Sequence, residues 1–398
     1  MASSVDPRFG AALREVRERR GLSLRSLGQL AHRSKSHLHE LEAGLKAPTV
    51  DTARHLDRIL DAGGVLARLV DAPIDHAAGA GELRARVAAS DVSNDVLERI
   101  ERGVDDLASS YPTMNPADLL PLVRRHLSYV VRLLHGRVTL AQQRRLLVAG
   151  GWLAVLRATV HIDLRQRNAA AAHLRAARDL AEHAEHPEIQ AWCLETRAWD
   201  VLTQGDYRSA LDLSQQAQRV APQGSSARIQ ATAQEARAWA RIGDVAATRR
   251  TLDRVERLAA NLPVPERAEH HYRYAPAKAA AYTATTLAWA GDPGAEQVAR
   301  AVLADLDPHG DGGARPRRSA SARLDLGLAL VAAGQPDEAV ALGTQAVASG
   351  RVVPSNWWRA AELLAKVEDL GVPEAATFRE LCVEYAPSRR STADSTPG

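Results

Sequence analysis

Phe9, Leu13 and Val16 stand at i, i+4 and i+7, a spacing that puts three apolar side chains on one face of a helix. Asp6-Pro7 is a suitable opening for that helix. Arg14, Arg17, Arg19 and Arg20 suit its last turns, and Gly21 its stop. Ser23 can cap a second helix with Leu24, Leu27 and Ala31 turned inward. Ser34 can cap a third, with Leu38 and Leu41 inward and Gly44 at its end. Pro48-Thr49 opens a fourth carrying Ala53, Leu56 and Leu60, and Val65, Leu66, Leu69 and Val70 mark a fifth. None of these helices buries much alone. Five around one core make a module of about 65 residues, near the lower limit for independent folding.

The pattern then breaks. The stretch DAPIDHAAGAGEL is rich in Ala, Gly and Asp, and residues 73–90 read as a linker after a head spanning 1–72. Period-three-to-four seams resume over two helices, roughly 91–110 and 116–135, separated by Tyr111-Pro112 and Asn115-Pro116. One seam is Leu97, Ile100, Val104 and Leu107; the other is Leu119, Leu122, Val123, Leu127 and Val130. A third helix, roughly 140–162, holds Gly150-Gly151-Trp152, where small residues permit close helix approach. Beyond it the chain repeats. Turn markers at 165, 205, 243, 291, 334 and 371 are spaced 40, 38, 48, 43 and 37 residues apart. Several are Gly-Asp pairs followed by Ala residues seven apart, such as Ala210 and Ala217. Such a period is the signature of a helical solenoid, here 91–386. It resembles degenerate tetratricopeptide repeats with lengthened loops, best kept over 191–222. The insertion at 261–274 is expected to rim a binding site. Pro308–Arg318 is expected to be a mobile loop, and 387–398 a disordered tail.

Composition sharpens this reading. Apolar residues make up 45% of the chain and aromatics only 4%, with Ala supplying much of the rest, which favours packed helices over a β-rich fold. Arg supplies 47 of the 51 basic residues; Lys stands only at 35, 46, 278 and 366. That bias fits a GC-rich bacterial genome. The net charge is +3, but residues 1–70 hold twelve Lys/Arg against eight Asp/Glu, a net of +4. A basic head on a near-neutral body points to a polyanionic partner. Cys193 and Cys382 sit in apolar helical patterns and are expected to be buried free thiols. No apolar run is expected to reach the roughly 18 residues of a membrane span, and MASSVDPRFG has no hydrophobic signal region. A soluble, cytoplasmic protein without a membrane partner is expected.

Residues 9–70 resemble the Cro/repressor-like, or Xre-type, helix-turn-helix family. The resemblance is carried by Leu22-Ser23-Leu24-Arg25, Leu27, Ala31, Ser34-Lys35-Ser36, Leu38, Leu41-Glu42, Gly44 and Pro48-Thr49. It implies an all-α chain: a five-helix helix-turn-helix domain followed by the tetratricopeptide-like α-solenoid. The family usually has Ala where Gly28 stands, Gly where His32 stands and an apolar residue where Arg33 stands. His32 is thus expected to take φ > 0. The recognition helix, Ser34–Glu42, turns Leu38 and Leu41 to the core and Lys35, Ser36, His39 and Glu40 outward. Lys can donate to guanine O6/N7, Ser pairs with several bases, and Glu accepts from cytosine N4. His37 and Arg33 flank this face and suit phosphate. Arg25 and Lys46 are expected to contact backbone. The resemblance also implies an ion pair between Arg17 and Glu42, pinning the recognition helix to the first.

A solenoid of paired helices presents an inner, concave groove. Counted from the turn markers, Trp192, Glu195, Trp199, Arg237, Arg241 and Trp289 fall on its inner face, a lining that suits a peptide, small-molecule or protein ligand. The chain has no GxxxxGK[ST], HExxH, CxxC or GxSxG motif. His183-x-x-His186 ends at Pro187 and is a poor metal pair. No cofactor, metal or enzymatic activity is expected. The reading is a transcriptional regulator that binds double-stranded operator DNA as a homodimer, with ligand or partner binding in the solenoid. The alternative is a protein-interaction scaffold whose head does not bind DNA.

Overall fold

Three hydroxyls set the starts of three helices. The side chains of Ser23, Ser34 and Thr49 each accept a hydrogen bond from the backbone N–H three residues on, at 3.1–3.2 Å. Each satisfies a donor that a helix start otherwise leaves orphaned. The computed structural model describes residues 8–71, 89–260, 270–274, 276–309 and 315–386. The chain divides into two compact units, residues 1–88 and 89–398. Nineteen helices and no strand occur among the described residues, so the chain is all-α.

The first unit holds α1 (Phe9–Arg19), α2 (Leu24–Leu30), α3 (Lys35–Glu42), α4 (Val50–Leu60) and α5 (Val65–Asp71). Phe9, Leu13, Leu27, Leu38, Leu41, Leu56, Leu60 and Leu66 form its core, each at most 2% exposed. The α1 and α3 backbones meet at Gly10, where a Cβ would lie 2.6 Å from the Glu42 carbonyl oxygen. The Asp6-Pro7 opening lies outside the described residues.

The second unit begins with α6 (Asn94–Ser110), α7 (Pro116–Leu134) and α8 (Leu140–Asp163). Helix pairs follow: α9 (Arg167–His183), α10 (Pro187–Thr203), α11 (Tyr207–Val220), α12 (Ser226–Ile242) and α13 (Val245–Ala259). The chain ends with α14 (Pro276–Ala290), α15 (Ala295–Leu306), α16 (Pro316–Ala332), α17 (Pro336–Ala348), α18 (Trp357–Asp369) and α19 (Ala375–Tyr385). All six turn markers have positive φ, from 60° at Arg165 to 91° at Gly243. The Gly-Asp pair works in two steps. Gly205 or Gly243 ends one helix in the left-handed region, and Asp206 or Asp244 then caps the next through its carboxylate.

Alternate helices form two rows. Twelve of the seventeen residues of α12 are buried, against three of the fourteen in α11. Thus α8, α10, α12, α14, α16 and α18 stack as an inner row, while the outer helices bury one stripe each. That stripe is the Ala pattern: Ala170 and Ala177, Ala210 and Ala217, Ala339 and Ala346 are all fully buried. At Gly151 a Cβ would come within 3.1 Å of Ile189 Cδ1, so the small residues of α8 do admit α10 closely.

Four expectations need correction. The inner row does not leave an open groove. The chain curls until Ser355, in the 3-10 turn before α18, donates to Asp163 of α8 at 2.9 Å. Pro316, Arg317 and Arg318 belong to the first turn of α16, not to a loop, because Arg317 is anchored on Asp163. The rest of the expected loop, at 310–314, lies outside the described residues, as do residues 261–269 and the tail at 387–398. Cys193 is buried, and burial pushes its thiol up to about 12, but Cys382 is only half-buried. Finally, α8 does match a membrane span in length and composition; 78% of its most apolar window is buried in the unit, which accounts for its apolarity.

Candidate nucleic-acid interface and ligand cavity

In α3 the apolar pair Leu38 and Leu41 is buried, which leaves the opposite face to solvent. Lys35, Ser36 and His39 are exposed on it, while His37 and Glu40 are half-buried. Arg25 in α2, Arg33 in the turn and Lys46 beyond α3 are exposed as well. The eight residues therefore lie on one short segment of chain and its flanks, with a helix N-terminus at Lys35.

Arg17 and Glu42 hold α3 in place. The Arg17 guanidinium donates from Nε to Glu42 Oε1 at 2.6 Å and from Nη2 to Oε2 at 2.9 Å. Nη1 donates to the Leu22 carbonyl at 2.9 Å, so one side chain ties α1, α3 and the start of α2. Both partners are over nine-tenths buried. The hydrogen bond to Glu42 raises the Arg17 pKa further above its usual value, against the opposing effect of burial.

The turn between α2 and α3 is shaped by its unusual residues. His32 has φ 49°, and the Arg33 N–H reaches back to the Gly28 carbonyl at 2.9 Å, closing α2 as a Schellman motif. This fold of the chain brings the Arg33 carbonyl against Gly28, where a Cβ would lie 2.8 Å from it. Gly28 and the His32 turn are thus coupled: the family's Ala does not fit here. A non-glycine residue in the left-handed region costs about 1–2 kcal/mol, and Gly loses about 0.5–1 kcal/mol through its freer unfolded chain. His32→Gly is therefore expected to stabilise the first unit by roughly 0.5–1 kcal/mol. Amide exchange at Leu38 and Leu41 reads it; equal or faster exchange in the variant would show that His32 carries no strain.

In the second unit, the inner helices close around a cavity of about 200 Å³. Glu195 and Trp199 of α10, Arg237 of α12, Lys278 and Tyr282 of α14, and Asp325 of α16 line it. Of the six inner-face residues read from the repeat, Glu195, Trp199 and Arg237 are brought together there. The other three are not. Trp192 is fully buried and packs edge-on to Tyr272. Trp289 is buried against Trp358. Arg241 spans the concave side as a strut, donating to Glu362 of α18 at 3.0 Å. Helix phase alone puts them on the inner face. Once the curl closes, large side chains on the same face fill the wedge between helices instead.

Helix phase within the repeats does not single out Lys278, Tyr282, Asp325, Arg317, Arg359 or Asp163, which also line the cavity. A signal for one of them exists: Lys278 is the lone charge in an otherwise uncharged helix, and such a charge is tolerated only with a partner or a task. Asp325 accepts from Arg359 at 3.0 Å and from Thr285 at 2.6 Å. Asp163 accepts from Tyr111, Arg317 and Ser355. Lys278 donates to the His271 carbonyl at 2.6 Å, and His271, from the 261–274 insertion, lines the cavity. The Arg237 guanidinium lies 3.8 Å from the centre of the Tyr282 ring and donates to Gln234 at 3.2 Å. Its Nε has no partner, nor have Gln230 Oε1, Asp325 Oδ1 and Arg359 Nε. Burial pushes the Glu195 carboxyl up and the Arg237 and Lys278 cations down. Burial opposes ionisation of Tyr282 as well, yet Lys278 and Arg237 outweigh it and bring that phenol below its usual value.

Residues 8–70 match the family described as a helix-turn-helix domain, and the first unit is such a domain. No curated protein matches the chain. Two solved structures are similar to it. One is PlcR of Bacillus thuringiensis in complex with the peptide PapR7 and DNA. It is 12% identical, with a TM-score of 0.24, over 64% of this chain and 95% of that one. The other is the apo form of the competence regulator ComR from Streptococcus vestibularis, 13% identical, with a TM-score of 0.30, over 91% of this chain and 99% of that one.

Proposed function

We propose that the chain is a cytoplasmic, sequence-specific DNA-binding transcriptional regulator whose helical-repeat unit senses a ligand. The observation that carries it is the α3 surface: a helix pinned from behind by Arg17–Glu42, with Lys35, Ser36 and His39 exposed at its start and middle. A helix so held can enter the major groove without losing its fold's core. Lys35 and Ser36 then read base edges with His39 and Glu40, and Arg25, Arg33, His37 and Lys46 position the backbone. One module reads few base pairs, so a homodimer on two half-sites about one helical turn apart supplies the specificity. The cavity in the second unit supports the sensing role, since it gathers polar groups without partners in a concave, partly aromatic site.

Genomic fragments retained by the purified chain are expected to share a two-half-site motif. The Lys35→Ala/Ser36→Ala variant should bind it at least about tenfold more weakly. Affinity should also fall steeply between low and moderate salt. No enriched motif, or an unchanged motif and affinity in the variant, would favour a protein-docking head instead.

A further inference from the structure

The cavity of the second unit is unequal in charge. Six cationic side chains line it against three carboxylates. Two of the carboxylates are already engaged, Asp163 with Arg317 and Asp325 with Arg359. Of the four remaining cations, Arg318 is half-buried and Arg351 exposed, whereas Arg237 and Lys278 are, like Glu195, about 95% buried. Glu195 is itself bonded to Gln230 at 2.8 Å and makes no ion pair with either cation. Within this deeply buried set two cations stand against one carboxylate. Both cations lie by one ring: Arg237 Cζ is 3.8 Å and Lys278 Nζ 5.9 Å from the centre of Tyr282. The centre of the Trp199 ring is 5.5 Å from Arg237 Cζ.

We propose that this cavity takes a small organic monoanion with a flat apolar body, its carboxylate on Arg237 in the field of Lys278 and its body against the aromatic lining that Tyr282 and Trp199 supply. The geometry favours a single charge, because one charge balances the buried set and the unpartnered Nε of Arg237 offers an in-plane donor. It favours a flat body, because the volume is small and two of its walls are aromatic. This inference rests on the reading of the second unit as a ligand sensor, and the test separates the two.

Three probes of one shape and different charge decide it: 1-naphthoate, 1-naphthamide and 1-naphthylmethylammonium, titrated calorimetrically into the full chain. Naphthoate is expected to bind at least about tenfold more tightly than the amide, as a charge-assisted bond in a desolvated site implies. Arg237→Met, which keeps the apolar stem, should erase that preference and leave amide affinity within about twofold. Lys278→Met should reduce it, and serves as the second variant if Arg237→Met does not fold. Equal or tighter binding of the amide or the ammonium to the wild-type chain overturns the anion and leaves the sensor reading standing. A preference that survives both variants overturns the assignment to these residues. Failure of all three probes to bind at millimolar concentration overturns the inference and leaves the sensor reading standing for other ligand classes.

Discussion

Glu42→Ala is expected to unfold most of the N-terminal unit and with it abolish DNA binding. The carboxylate accepts two short bonds from Arg17, and both groups are out of water. Removing it leaves the Arg17 guanidinium, which cannot give up its proton, with only the exposed Glu18 carboxylate at 3.2 Å and the Leu22 carbonyl. Breaking a buried pair in this way costs about 3–5 kcal/mol. A domain of this length has a total stability of roughly 3–9 kcal/mol, so the loss takes from about a third to all of it. Glu42→Gln keeps one neutral acceptor and should cost less. Amide exchange over α1 and α3 in the full chain reads the effect without interference from the second unit. Protection unchanged in Glu42→Ala would mean that the pair contributes nothing, and the pinned recognition helix would have to be abandoned.

The second large effect is expected at Asp163. This carboxylate ends α8 and joins three distant segments: the Tyr111 hydroxyl donates to it at 2.8 Å, Ser355 at 2.9 Å, and Arg317 forms an ion pair. Arg317 also donates to the backbone carbonyls of Tyr111 and Met114. Burial works to lower the Arg317 pKa, yet Asp163 and Tyr111 outweigh it and the guanidinium stays firmly charged. Asp163→Ala leaves that charge buried and cuts the bond from Ser355 to α8. A loss of about 3–5 kcal/mol is expected. In a unit of this size that lowers the melting temperature by roughly 5–8 °C. The order of opening is the more specific result: residues 353–357 and 315–320 should gain exchange before α10 and α12 do. A melting temperature within about 2 °C of wild type would show that the curl is held elsewhere.

These two carboxylates differ in how visible they are before folding. Glu42 sits in a dense motif, with Ser34, Leu38, Leu41 and Gly44 at fixed offsets, so its partner in α1 could be named from the resemblance. Asp163 has no such frame. Its partners stand 52, 154 and 192 residues away, and nothing local to them signals the meeting. The same division separates the cavity residues. Glu195, Trp199 and Arg237 follow from helix phase within one or two repeats. Lys278, Asp325 and Arg359 enter because later repeats bend back over them.

What this sequence determines by itself is therefore local and periodic. Hydroxyl caps, Gly-Asp turns and apolar spacing specify the helices, because each depends on residues within a turn or two of one another. The Ala pairs seven apart specify which helix face packs, and the basic head specifies a polyanionic partner. The closure of the repeat unit is different. A small rotation per helix pair accumulates over the solenoid, and whether the inner row leaves a groove or a cavity depends on the sum. Only the tertiary structure decides that sum, and with it which charges face one another across the cavity, why Arg241 is a strut and why Trp192 and Trp289 are core.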